Sequence, residues 1–156
     1  MTSDEYVRLL NMKPHPEGGY FVETFLSEDF IKKTPLYSSI IFLLHTGEVS
    51  HFHRLKEDEL WYYHDGESIE IVEITDDGKL ITTSLGKNIQ NGEKLQHLVK
   101  KGSIFGSIMK KPGFSIVGCM VSPAFSYEHF ELFSRKELLL KYPQYQEIIK
   151  ELTYEE

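Results

Sequence analysis

Short runs of alternating apolar and polar residues, each closed by a turn signal, dominate the chain between about residues 20 and 133. Side chains alternate across a strand, so this period-2 texture predicts strands with one buried face. The expected strands are Tyr20–Phe25, Tyr37–Leu44, Val49–Arg54, Glu59–His64, Ser68–Ile74, Leu80–Leu85, Gln96–Val99, Ser103–Met109, Ser115–Val121 and His129–Phe133. Between them stand His45-Thr46-Gly47, Asp65-Gly66, Asp76-Asp77-Gly78, Asn91-Gly92 and Pro112-Gly113, corners rich in residues that reach positive φ cheaply. Short strands at this spacing predict a sandwich or barrel rather than a parallel α/β sheet. The two ends break the pattern. Thr2 and Glu5 have capping-box spacing ahead of a short helix carrying Tyr6, Leu9 and Leu10, which Pro14 and Pro16 stop. Ser134 and Glu137 repeat that spacing at the start of an amphipathic helix running to about Leu152, broken near Tyr142-Pro143.

Composition narrows the class. With 156 residues the chain is long enough for a sizeable core and is read as one domain, 1–156, with the barrel at about 19–133 and the helical segment at about 134–152. Its 24 acidic and 17 basic side chains give a net charge of -7, which repels phosphate backbones and argues against nucleic acid. The one cysteine, Cys119, excludes an intramolecular disulfide and lies in an apolar run, as buried filler would. The N-terminus lacks a basic region ahead of an apolar one, and the longest apolar runs, such as Ile40–Leu44, are strand-sized. A cytoplasmic protein free of the membrane is expected.

The most informative stretch is Gly47 to Gly66, Gly-Glu-Val-Ser-His-Phe-His-Arg-Leu-Lys-Glu-Asp-Glu-Leu-Trp-Tyr-Tyr-His-Asp-Gly. His51 and His53 lie one residue apart, so an extended backbone points both imidazoles the same way. A carboxylate follows at Glu57, Asp58 or Glu59. On the strand after it, parity groups Glu59, Trp61 and Tyr63 on one face and Leu60, Tyr62 and His64 on the other. Glu23 adds a carboxylate within an apolar strand, which is costly to bury without a partner. Gly18-Gly19 most simply makes a tight turn.

These residues resemble the cupin superfamily of small double-sheet barrels. His51-x-His53 matches the first cupin motif, and Glu59 followed by six residues and Gly66 matches its second half. Gly47 stands three residues before His51 where the motif has five, and the His53–Glu59 gap of five residues is slightly long. A second resemblance covers nearly the whole chain. His15-Pro-Glu-Gly-Gly-Tyr-Phe-Val-Glu-Thr24, Ser50-His-Phe-His-Arg54, Asp58-Glu-Leu-Trp61, Val117-Gly-Cys-Met-Val-Ser-Pro123 and Phe130-Glu-Leu-Phe133 look like the uncharacterised single-domain cupin family numbered five. The resemblance implies an all-β double-stranded β-helix, the jelly-roll cupin barrel, with a short N-terminal helix and a C-terminal helix, and it implies a homodimer. It assigns no chemistry.

Three functional readings stand. In the first, the barrel pocket binds a small polar, carbohydrate-like metabolite, with Glu23, His51, Trp61, Tyr63 and Phe105 as ligand-binding residues. His53 then acts as general base and Glu59 orients it, since an imidazole with a pKa near 6.5 suits proton transfer at neutrality. In the second, His51, His53 and Glu59 hold a divalent metal (Zn, Mn, Fe or Ni) in an isomerase or oxygenase. Superfamily members that bind metal well add a His from a second motif, whose counterpart here, Lys100-Lys-Gly-Ser-Ile-Phe105, has Phe105 at that place. In the third, the protein is a non-catalytic sensor or storage-type cupin. The residues do not decide whether it is an enzyme.

Overall fold

A computed structural model describes residues 1–155. The strands are β1 (Lys13–Pro14), β2 (Tyr20–Leu26), β3 (Phe30–Ile31), β4 (Thr34–Pro35), β5 (Ser38–His45), β6 (Val49–Arg54), β7 (Asp58–Gly66), β8 (Ile69–Ile74), β9 (Leu80–Leu85), β10 (Gln96–Val99), β11 (Ile104–Ile108), β12 (Phe114–Ser122) and β13 (Glu131–Leu132). Helices α1 (Ser3–Leu9), α2 (Arg135–Lys141) and α3 (Gln146–Glu151) lie at the two ends. Both expected capping boxes form. Thr2 Oγ1 accepts from Glu5 N–H while the Glu5 carboxylate accepts from Thr2 N–H, and Ser134 and Glu137 do the same at α2.

The strands make two antiparallel sheets in a jelly-roll arrangement. One runs β1-β2-β5-β12-β7-β10 and the other β13-β6-β11-β8-β9. The sheets face each other as the expected double-sheet roll does, without closing into a continuous barrel. Outside them, β3 and β4 form a separate hairpin that the sequence pattern leaves unassigned. The alternation is too short there, two residues per strand, to carry a signal.

Four layers result, because each sheet has two faces to cover. Between the sheets lie Phe42, Leu44, Trp61, Ile69, Ile71, Phe105, Val117, Cys119 and Val121, all buried. The outer face of the second sheet presents Phe52, Val72, Ile74 and Ile104 to Leu138, Ile149 and Leu152 of the C-terminal helical segment. On the outer face of the first sheet, Leu43 and Ile116 meet Met12, Tyr6 and Val7 around α1. Strands covered on both sides read as near-continuous apolar runs, which explains Ile40–Leu44. Among the described residues no helix is long and apolar enough to cross a membrane.

Two details of backbone set up the site. Strand β7 takes in the expected Asp65-Gly66 corner, and its pairing with β12 slips between Ile116 and Val117. That bulge lies beyond Glu59 and Trp61, which stay in register with Val121 and Cys119. The other detail is the turn before β2. Gly18 has a φ of +114°, and a Cβ there would collide with the Val49 carbonyl oxygen of β6.

Gly47 offers a control, since it also has positive φ (+88°) but a Cβ added there would meet nothing within 4 Å. We expect Gly47→Ala to cost about 1 kcal/mol in chemical denaturation and Gly18→Ala about 3 kcal/mol or more. Equal costs for the two would show that the turn is not tied to β6 as described.

Candidate functional site

The space between the sheets narrows to a cavity of about 230 Å³. Its wall is built from His15, Glu17, Phe21 and Glu23 of the β1–β2 segment, Ser38 and Ile40 of β5, His53 of β6, Glu59 of β7, Cys119 and Val121 of β12, and Phe125 and Tyr127 beyond it. Parity explains how β7 and β12 contribute. Glu59 is paired with Val121 and shares the inner face with Trp61, while His64 lies on the outer face over Gly118.

Of the residues expected at the site, Glu23, His53 and Glu59 meet at this cavity. Trp61 and Phe105 continue the same inner surface but belong to the packed core. Phe105 tilts against the His53 ring at 4.1 Å between centroids, and Phe130 stacks on that ring at 5.3 Å. Tyr63 packs at the edge of that core and donates its hydroxyl hydrogen to Gly66 O at 2.7 Å. His51 is absent from the lining. Its Nδ1 lies 2.7 Å from Glu17 O, and its half-buried ring stacks on Tyr154 at 3.6 Å between centroids. Of the other two candidate carboxylates, Glu57 is buried against His129, and exposed Asp58 accepts from Lys101 N–H at 2.9 Å.

The ring protons follow from the acceptors. A carbonyl oxygen can only accept, so His51 donates Nδ1–H to Glu17 O, and His53 donates Nδ1–H to His51 O at 2.7 Å. Neutral His53 therefore carries its lone pair on Nε2. His15 is the opposite tautomer, since its Nδ1 accepts Glu17 N–H at 3.2 Å, which leaves the proton on Nε2. Burial holds both His15 and His53 down to about 4, so both are neutral near pH 7.

The carboxyls shift the other way. Burial pushes Glu59 up to about 7, slightly offset by the nearby Cys119 thiol and Trp61 indole. Burial, with Glu59 close by, raises Glu17 well above the usual carboxylate range. Burial also raises the Cys119 thiol far above its ordinary value, so that this cysteine stays an unreactive thiol. Two polar atoms facing this region have no hydrogen-bond partner among the described residues, Glu17 Oε2 and Trp61 Nε1. Glu17 Oε2 lies 3.2 Å from His53 Nδ1, whose proton is directed to His51 O.

The structure does not bring the expected metal set of His51, His53 and Glu59 together, since His51 is absent from the cavity wall. Among the described residues, no three His, Cys, Asp or Glu side chains are grouped to hold one. His51 is turned onto Glu17 O and Tyr154, and Phe105 contributes a ring without a donor atom. No chemical step is therefore routed through a metal.

Sequence reasoning missed His15 and Glu17 as site residues. Both stand in the His15–Thr24 segment, where a His and a Glu immediately ahead of Gly18-Gly19 were the available signal. The spacing says nothing about which strand the turn docks on, and that docking is what turns them inward.

Residues 4–133 match the family described as Cupin superfamily (DUF985). Among solved structures, a protein from Shewanella oneidensis shares 48% identity and a TM-score of 0.96, covering 100% of this chain and 99% of its own. A hypothetical protein from Leishmania major shares 34% identity at a TM-score of 0.95, covering 99% of this chain and 100% of its own. An oxalate decarboxylase from Bacillus subtilis is similar in fold alone, at 16% identity and a TM-score of 0.60 over 92% of this chain and 37% of its own. The comparison with curated proteins finds no match. With the family match covering most of its length, and with relatives superposing from end to end, the chain belongs to the DUF985 family of the cupin superfamily.

Proposed function

We propose that the protein binds a small polar metabolite in the cavity between its sheets, and that His53 and Glu59 carry acid–base chemistry on it. The observation that supports this most is a 230 Å³ cavity faced by buried His53, Glu59 and Glu17, one of whose oxygens has no protein partner among the described residues. Burying such groups costs stability unless something in the cavity pairs with them. The volume lies below the roughly 300–1,000 Å³ of drug-sized sites, so the ligand is metabolite-sized. A neutral His15 Nε2–H and the His53 Nε2 lone pair offer one donor and one acceptor for hydroxyl-like groups.

Within the pair, burial redistributes the roles expected from sequence. Glu59, near 7, is poised to give and take a proton at neutral pH, whereas His53, near 4, is a weak base suited to accepting a hydrogen bond. The transferable proton is therefore assigned to the Glu59 carboxyl, and His53 positions the reacting group.

The partner in solution is a second copy of the chain. Phe25, Leu26, Phe30, Ile31 and Tyr37 are exposed around the end of β2 and the β3–β4 hairpin, an apolar area of the kind a dimer covers.

Thermal-shift screening with sugars, polyols, amines and organic acids tests the binding reading. A ligand at about 100 times its dissociation constant adds roughly 2.7 kcal/mol to stability. His53→Gln and Glu59→Gln should each weaken that ligand about tenfold, and turnover, where found, should vanish in Glu59→Gln. A screen in which no compound stabilises the wild type would sink the proposal.

Stability against pH checks the electrostatics. Glu59 is raised in the folded state, so its contribution is intact below about pH 4.5 and lost as pH climbs through about 7. Glu59→Gln should gain on the wild type across that window by on the order of 3 kcal/mol. His53 is depressed, so its contribution is intact above about 6.5 and lost as pH falls through about 4. His53→Gln should thus gain on the wild type toward acid, the opposite sign. Light scattering of Phe30→Glu, expected to be monomeric beside a dimeric wild type, tests the interface.

A further inference from the structure

Buried acids elsewhere in the molecule have imidazole partners. Glu73 is paired with His97 at 2.7 Å, and Glu57 is paired with His129. In the cavity, Glu17 lies 3.6 and 3.2 Å from the Nδ1 atoms of His15 and His53, both of which are engaged by backbone groups. Glu17, Glu23 and Glu59 all stand on the cavity wall, and no Lys or Arg does. Glu59 and Glu17, 8% and 9% exposed, have no lysine or arginine partner among the described residues.

Each other group facing these acids fails to supply positive charge. His15 and His53 are the neutral imidazoles described above, the Cys119 thiol is uncharged, and Ser38 Oγ is engaged as acceptor of Phe125 N–H at 2.9 Å. Glu17 Oε2 is the independent sign that something is missing, since it is buried on the cavity wall with no hydrogen-bond partner among the described residues. An anionic ligand would meet three carboxyl groups and no positive charge to pair with. An apolar ligand would leave the buried oxygens unsatisfied.

The rest of the wall has a complementary chemistry. Phe21, Phe125 and Tyr127 line it, with Phe125 and Tyr127 edge-to-face at 4.9 Å and both near Phe130 at 6.0 Å. Aromatic faces attract cations and pack against hydrocarbon. Carboxylates at one end and aromatic rings around the sides suit an organic cation better than a bare metal ion, for which the donor grouping is absent among the described residues.

We propose that the cavity selects a small organic cation, with an ammonium group held between the Glu17 and Glu59 carboxylates and a compact carbon frame against Phe21, Phe125 and Tyr127. The inference rests on the binding function proposed above and names the charge class of its ligand. The ammonium is the positive charge that the wall lacks and, once bound, favours the ionised form of the adjacent Glu17 and Glu59 carboxyls, while Glu23 at the exposed end of the cavity draws it inward. His53 Nε2, a lone-pair acceptor, is left for an N–H or hydroxyl hydrogen of the ligand.

The test uses three probes of one carbon frame and different charge, cyclopentylamine, cyclopentanol and cyclopentanecarboxylate. Each is titrated by calorimetry at pH 8 and low salt into EDTA-treated full-length protein. The amine should bind about tenfold or more tightly than the alcohol, and the carboxylate more weakly than either, as expected for a charge-assisted hydrogen bond. Glu59→Gln and Glu17→Gln should each cost the amine about tenfold and change the alcohol by less than about twofold. Unfolding curves of both variants establish that they are folded.

Equal or tighter binding of the alcohol or the carboxylate would overturn the charge assignment while leaving a ligand pocket in place. Binding of none of the three would also overturn it, and the broader screen above would then decide the pocket reading separately. Stoichiometric Zn²⁺ or Mn²⁺ binding that blocks the amine and is lost in Glu59→Gln would replace the organic cation with a metal.

Discussion

One carbonyl oxygen holds the site together. Glu17 O accepts the backbone N–H of His51 at 2.9 Å and the Nδ1–H of the same residue at 2.7 Å, which pins the turn from His15 to Gly19 onto β6. Gly18 lies so close to Val49 that a side chain has no room. Tyr154 closes the arrangement by stacking on His51 and donating its hydroxyl hydrogen to Pro16 O at 2.8 Å. Phe52 N–H meets Leu152 O at 2.8 Å, so β6 is tied to the C-terminal segment as well. Through these contacts the β1–β2 turn, β6 and the chain end act as one unit, and the inward aim of His15, Glu17 and His53 depends on it.

The same packing sets the charges. Carboxyls and imidazoles are enclosed together, yet they do not pair as ions, because the Nδ1 atoms nearest Glu17 are already engaged by backbone groups. His53 gives its Nδ1 proton to His51 O, and His15 receives the Glu17 amide proton. Burial then favours the neutral form of every group, pushing imidazoles down and carboxyls up. A cavity built in this way leaves buried polar groups without partners and gives up some stability in doing so.

The fold was largely legible, and the reasons are local. Strand alternation and turn residues located Val49–Arg54, Leu80–Leu85 and Gln96–Val99 to the residue, and both capping boxes formed as spaced. The break at Tyr142-Pro143 fell where proline removes a helical hydrogen bond, with a single 3-10 turn between α2 and α3. The β3–β4 hairpin and the two-residue strands β1 and β13 escaped full reading because they are held by neighbours rather than by pattern. Sheet closure was also beyond local pattern, since it depends on which edges meet.

For the site, the sequence by itself determined which face each strand residue takes. That grouped His51 with His53, set Glu59 beside Trp61 and Tyr63, and put His64 on the other side, because side-chain direction on a strand has a fixed period of two. Tertiary structure alone decided the rest. It turned His51 onto a carbonyl 34 residues away, brought Glu17 and His15 into the cavity from a turn, and left Trp61 and Phe105 within the core. Those outcomes depend on long-range docking and on competition for hydrogen-bond partners, and neither leaves a periodic trace in the chain. The protonation states follow the same division, since residue type names the titrating group and only burial sets where it titrates.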